Sequence, residues 1–157
     1  MMLRPFLLVV VAAGAIALAG CPAGAQLQHF AKSSLVIHSA QGPRRFDIEI
    51  AETEPQMEQG LMYRHRLAPD AGMLFIYKQP TVAMFWMKNT LIPLDMLFVD
   101  AHGRIVNIHT NAVPESLAII RAHAPVRAVI ELNGGAAALF GIKPGDEVVY
   151  PLFGNTR

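Results

Sequence analysis

One cysteine, Cys21, is all the thiol chemistry available to this 157-residue chain. It lies in the N-terminal stretch. The rest of the chain therefore has no disulfide framework, no thiol nucleophile and no zinc–thiolate site. Charge is also scarce: Asp, Glu, Lys and Arg are 16% of the residues, and the net charge is +1 with His neutral. That balance gives no general attraction for nucleic acid, and no run of lysines and arginines supplies a local one. The histidines include His38, His65, His102, His109 and His123, and none shows HxH or HExxH spacing. A zinc-hydrolase site is therefore not supported. There is no GxSxG elbow, P-loop, dinucleotide-binding glycine pattern, internal repeat or low-complexity tract. No cofactor is expected.

Apolar residues, by contrast, make up 53% of the chain. Part of the excess sits at the N-terminus, where Arg4 precedes an apolar run from Phe6 to Ala19. That run is shorter than the roughly 20 residues a spanning helix needs, and it ends in small residues, as a secretory signal does. Two processing sites compete. Leu18-Ala19-Gly20-Cys21 has the form of a lipobox, which would remove residues 1–20 and lipidate Cys21. Ala23-Gly24-Ala25 before Gln26 has the small-x-small form of ordinary secretion and would remove residues 1–25. Either gives an exported, periplasmic protein, and only the first adds a membrane anchor. Residues 26–33 then read as a polar linker, 34–150 as a single domain and 151–157 as a tail.

Within the domain, period-2 alternation and short apolar runs predict strands at 34–39, 45–51, 72–77, 82–87, 94–99, 104–110, 126–132 and 147–150. In the second of these, Phe46, Ile48 and Ile50 share one face and Arg45, Asp47 and Glu49 the other. Thr53, Pro55 and Gln56 form a helix start, so a helix is expected over 54–63, with Arg64, His65 and Arg66 just beyond its end. A second short helix is expected over 135–140, stopped by Gly141. Lys78-Gln79-Pro80 reads as a break, and 111–124 as irregular. About eight strands joined mostly by hairpin-length loops predict an α+β fold, predominantly antiparallel β, curled into a barrel or sandwich.

Several motifs occur in a fixed order: Gly60-Leu61-Met62-x-Arg64, Gly72-Met73-Leu74-Phe75, Phe85-Trp86-Met87-Lys88-Asn89-Thr90, Pro93-Leu94-Asp95, Glu131-Leu132 and Gly141-Ile142-Lys143-x-Gly145-Asp146. Together they resemble the bacterial family catalogued as domain of unknown function 192. The resemblance covers roughly 34–150, and the block from Trp86 to Asp95 is its most specific part. It implies a small, mainly exported, α+β or mostly-β domain. No established activity comes with it.

Three constellations could carry chemistry. Trp86, Lys88 and Asn89, with Arg64 as a further candidate, could form the lip of a ligand site: an indole face, a cation, and an amide that both donates and accepts. A small molecule or envelope glycan would use such groups. The plainer alternative is a core tryptophan beside an asparagine that fixes a turn. In the ligand-lip reading Asp95 would hold Lys88 or the connecting loop in place. Asp95 and Glu131 could instead be an acid–base pair of a hydrolase or lyase, provided that they converge on one cleft. Arg127 lies on the same strand face as Glu131. Finally, Met84, Trp86 and His109 could hold Cu(I), although methionine is more often core filler. The expectation is a binding or accessory module without catalysis.

Overall fold

Gly42, at φ +99°, turns the chain through the hairpin expected at Gln41-Gly42-Pro43. It joins β1 (Ala31–Ser39) to β2 (Gly42–Ala51). The computed structural model describes residues 27–156. Cys21 and both candidate processing sites lie outside the described residues. The other elements are α1 (Glu54–Gln59), β3 (Ala71–Thr81), β4 (Met84–Phe85), β5 (Leu94–Val99), β6 (Ile105–Ala112), β7 (Ile120–Arg121), β8 (Val126–Asn133), α2 (Ala136–Leu139) and β9 (Glu147–Val149).

Seven strands form one sheet in the order β6-β5-β8-β3-β2-β1-β9, and β4 with β7 forms a separate ribbon. Neighbours in the sheet are antiparallel except β2 and β3, which run parallel. A parallel pair needs a crossover, and residues 52–70, with α1 among them, supply it. The sheet curls until its edges meet at one end. Arg104 bridges Glu147, and the Val148 N–H donates to the Gly103 carbonyl at 2.7 Å. The expected α+β, mostly antiparallel architecture is therefore the one found.

The curl separates two cores. The inner one contains Leu35, Ile37, Phe46, Ile48, Leu97 and Leu132. The outer one contains Leu61, Met73, Phe75, Met87, Met96 and Val129, and α1 and the β4–β7 ribbon close over it. The alternation of β2 and β8 assigns their side chains to these two faces, as the sequence pattern indicated.

Several boundaries differ from expectation. The predicted linker gives three residues to β1, whose first residue is Ala31, and Phe30 before it is buried at 7% exposure. The tail is structured too: Pro151–Phe153 is a 3-10 turn, and the Asn155 amide donates to the Val148 carbonyl at 2.9 Å. α1 stops at Gln59 because Gly60 takes φ +47°, ψ −131°, a conformation that only glycine enters readily. β3 runs through Lys78-Gln79-Pro80. Proline is tolerated there because its ladder to β8 lapses between Ile76 and Thr81. The predicted 82–87 strand shrinks to Met84–Phe85. Its alternation is still real, with Val82, Met84 and Trp86 exposed and Ala83 and Met87 buried. Its partner is the two-residue β7 rather than the main sheet.

Candidate functional site

Asp95 is fully buried, at 0% exposure. Its carboxylate accepts three backbone N–H bonds, from Asn111 at 2.8 Å, Gly135 at 3.0 Å and Ala137 at 2.8 Å. It ties the end of β6 to the entry of α2. Gly134 allows that entry to pass close by, since a Cβ there would lie 2.9 Å from the Pro93 Cβ. Asp95 was expected to hold Lys88 or the connecting loop; its oxygens are instead taken by backbone donors of β6 and the α2 entry, so it serves as scaffold there.

Glu131 lies one residue out of register with it. Asp95 sits opposite Leu132, and Glu131 sits opposite Met96. Directly opposed residues share a face, so Asp95 belongs to the inner core and Glu131 to the outer side. The two carboxylates point away from each other and reach no common cleft. The acid–base pair considered from sequence therefore has no geometric basis.

On the outer side, α1, β3, β8 and the β4–β7 ribbon surround an open cleft of about 1580 Å³. Trp86, Lys88, Asn89 and Tyr63 line its mouth, and Phe75, Tyr77, Arg127 and Glu131 line its floor. Trp86 is 47% exposed, so it is not a core tryptophan. The Lys88 ammonium lies 5.2 Å from the centre of its ring, within cation–π range. Asn89 adopts φ +56° and Tyr63 φ +64°. The two interlock: the Tyr63 N–H donates to the Asn89 carbonyl at 2.8 Å, and the Asn89 amide donates to the Tyr63 hydroxyl at 3.0 Å. Asn89 thus fixes a turn and also lines the cleft mouth.

The floor is mostly apolar. Phe75 and Phe85 meet edge to face with centroids 5.0 Å apart. Burial raises the Glu131 carboxyl to a pKa of about 8. Burial and the nearby Glu131 push the Tyr77 phenol up to about 12. Gly60 passes over this floor, its missing Cβ 3.1 Å from the Phe75 ring and 4.0 Å from Glu131 Oε2.

Arg64 lies elsewhere, which corrects its candidacy for the ligand lip. Its guanidinium pairs with Glu49 on β2 and lies 5.9 Å from the Phe30 ring. The methionines and the histidine considered for copper differ in their surroundings. Met87 and Met96 are fully buried in the outer core, His109 is exposed, and the Met84 sulfur receives the Arg121 guanidinium at 3.7 Å. Sequence reasoning missed Tyr63 and Tyr77 as cleft residues. It placed Arg127 on the face of Glu131, and that shared face was the available signal for the floor.

The family model DUF192, described as "Uncharacterized ACR", matches residues 36–150. Two solved structures are similar. A candidate transcription regulator from Sinorhizobium meliloti 1021 is 44% identical, with 81% of this chain and 99% of that one covered at a TM-score of 0.77. A protein of unknown function from Novosphingobium aromaticivorans DSM 12444 is 38% identical, with 84% and 100% covered at a TM-score of 0.75. No curated protein matches.

Proposed function

The chain belongs to the DUF192 family, and from that premise we propose that it is an exported cell-envelope module that binds a small molecule or glycan in the outer cleft without transforming it. The observation that carries this reading is the cleft mouth. An exposed indole, a cation over its ring and an amide held by Tyr63 stand together at the edge of a large recess. Indole faces stack on sugar rings, and the polar groups beside them can select orientation. At about 1580 Å³ the recess exceeds the roughly 300–1,000 Å³ of ordinary small-molecule pockets. That leaves room for more than one sugar or amino-acid unit. Export is supported by the N-terminal sequence, with a lipid at Cys21 if the lipobox is used.

The Asp95–Glu131 pair gives the hydrolase or lyase alternative no support. Glycoside chemistry usually needs two on one cleft, roughly 5–10 Å apart, and here they face opposite sides of the sheet. Glu131 shares the cleft with Glu52, Glu54 and Glu58 from the α1 side, and Asp95 does not reach it. The regulator label of the S. meliloti relative is not carried over. The helices among the described residues span six and four residues, which gives no recognition helix.

Thermal-shift screening tests the reading. The protein, Trp86→Ala and Lys88→Ala are each heated with muropeptides and envelope glycans. At least one ligand should raise the melting temperature of the unaltered protein and lose that effect in both variants. No stabilisation across such a set contradicts ligand binding.

A further inference from the structure

Strand β8 turns Arg127, Val129 and Glu131 toward the cleft side of the sheet. Two of these carry polar groups that the fold leaves unmatched. Arg127 Nη1 is buried and makes no hydrogen bond among the described residues. Glu131 is buried at 5% exposure, and burial alone acts on its carboxyl, with no cation or donor offsetting it. Its cross-strand neighbours are Met73 on β3 and Met96 on β5, and neither supplies a strong hydrogen bond. The other buried polar side chains are provided for. Asp95 has its three backbone donors, and Asn107 bonds the Arg121 carbonyl and the His123 N–H.

Arg127 and Glu131 do not satisfy each other. Four residues of extended strand separate their Cα atoms by about 13 Å. Between them lies Val129, which pairs with Phe75 on one side and Phe98 on the other. Along β8 the cleft floor therefore carries a cation and a carboxyl, with the buried Val129 behind the gap between them. The Tyr77 phenol on β3 interacts with Glu131 across this floor, and Glu52, Glu54 and Glu58 line the cleft from the α1 side. The phenol carries no charge to neutralise either end.

We propose that this floor is a dipolar anchor subsite, in which Arg127 takes a carboxylate of the ligand and Glu131 takes a cationic nitrogen, so that the ligand is a short peptide or a peptide-bearing fragment with small apolar side chains. The inference rests on the reading of the cleft as a ligand site and names the chemistry that site accepts. A neutral glycan could hydrogen-bond to both ends but would neutralise neither. A zwitterion offers an anion to Arg127 and a cation that draws Glu131 into its charged form, and a small side chain fits against Phe75. Trp86 and Lys88 at the mouth remain free to hold whatever extends outward.

Calorimetric titration of the full-length protein with alanine di-, tri- and tetrapeptides tests this. One length should bind best. N-acetylation and C-amidation should each weaken it about tenfold or more, the range for a lost charged hydrogen bond. Glu131→Gln should abolish the preference for the free amine, and Arg127→Gln the preference for the free carboxylate. At pH 7 binding should release protons, read by repeating the titration in buffers of different ionisation enthalpy, because a cation beside Glu131 favours its charged form. The capped peptides need no variant, so a misfolded mutant cannot obscure the result. Free and capped peptides binding equally would overturn the proposal. Glycan binding with no binding of any peptide would overturn it too, while leaving the cleft a glycan site. Binding of neither class would count against both.

Discussion

Asp95 and Glu131 lie on hydrogen-bonded neighbouring strands and point to opposite faces of the sheet. One is matched by three backbone donors, and the other by none. The fold thus divides its two buried carboxylates between scaffold and cleft. Their mutational signatures should differ accordingly.

Asp95→Ala should be strongly destabilising. It strands three buried N–H groups at the junction of β5, β6 and α2. At roughly 1–3 kcal/mol for each unsatisfied group, the loss should be about 3 kcal/mol or more. Urea denaturation with an unchanged m-value checks it. A loss well under about 1 kcal/mol would mean that the carboxylate does not hold this junction.

Glu131→Gln should act in the opposite sense and only above acidic pH. The folded pKa of about 8 is raised above the ordinary 4.5. Between those values the folded protein keeps a proton that the unfolded chain loses. Stability should therefore fall as pH rises through this window and level off above it. The whole effect is on the order of 5 kcal/mol at most. The Gln variant should show a flatter profile, matching the unaltered protein near pH 4 and exceeding it at pH 9. Parallel profiles would show that Glu131 is charged and matched in the fold.

Much of the assignment of strand faces was legible in the sequence. The alternation at Phe46-x-Ile48-x-Ile50 and along β8 from Arg127 onward assigned faces correctly, because side-chain period does not depend on which strand pairs with which; Val126, beyond the register shift against β3, joins the outer core instead of the face of Ala128 and Ile130. The same alternation was right for Val82 to Trp86, yet the strand itself was overestimated. Apolar pattern cannot tell a seat in the main sheet from a place in a two-residue ribbon. The opposed faces of Asp95 and Glu131 were out of reach, since they depend on the register of β5 against β8, a tertiary fact. Arg64 was misassigned for a related reason: the helix was expected to continue past Gly60, whose positive φ ends it early.

That glycine gives a further test. Gly60→Ala would place a Cβ 3.1 Å from the Phe75 ring at φ +47°. Strain of about 1–3 kcal/mol is expected. Because Gly60 also covers Glu131, ligand affinity should fall with it. Thermal melting and calorimetry on the same sample read both effects. A variant as stable and as competent as the unaltered protein would show that this turn relaxes freely.

Arg64→Ala should do little. Its pair with Glu49 is partly exposed, with side-chain exposures of 28% and 24%. A loss of about 0–1 kcal/mol that shrinks with added salt is expected. Ligand affinity should be unchanged. A large loss of affinity with stability intact would return Arg64 to the binding surface.

The central claim is that the cleft mouth meets a ligand, and Trp86 reports on it directly, being the only tryptophan in the chain. Its emission can be followed while muropeptides are titrated into the protein. Binding in the cleft predicts a saturable change in intensity or wavelength, with a midpoint that moves to higher concentration in Lys88→Ala. Emission that stays constant while calorimetry records binding would place the ligand elsewhere and contradict the claim.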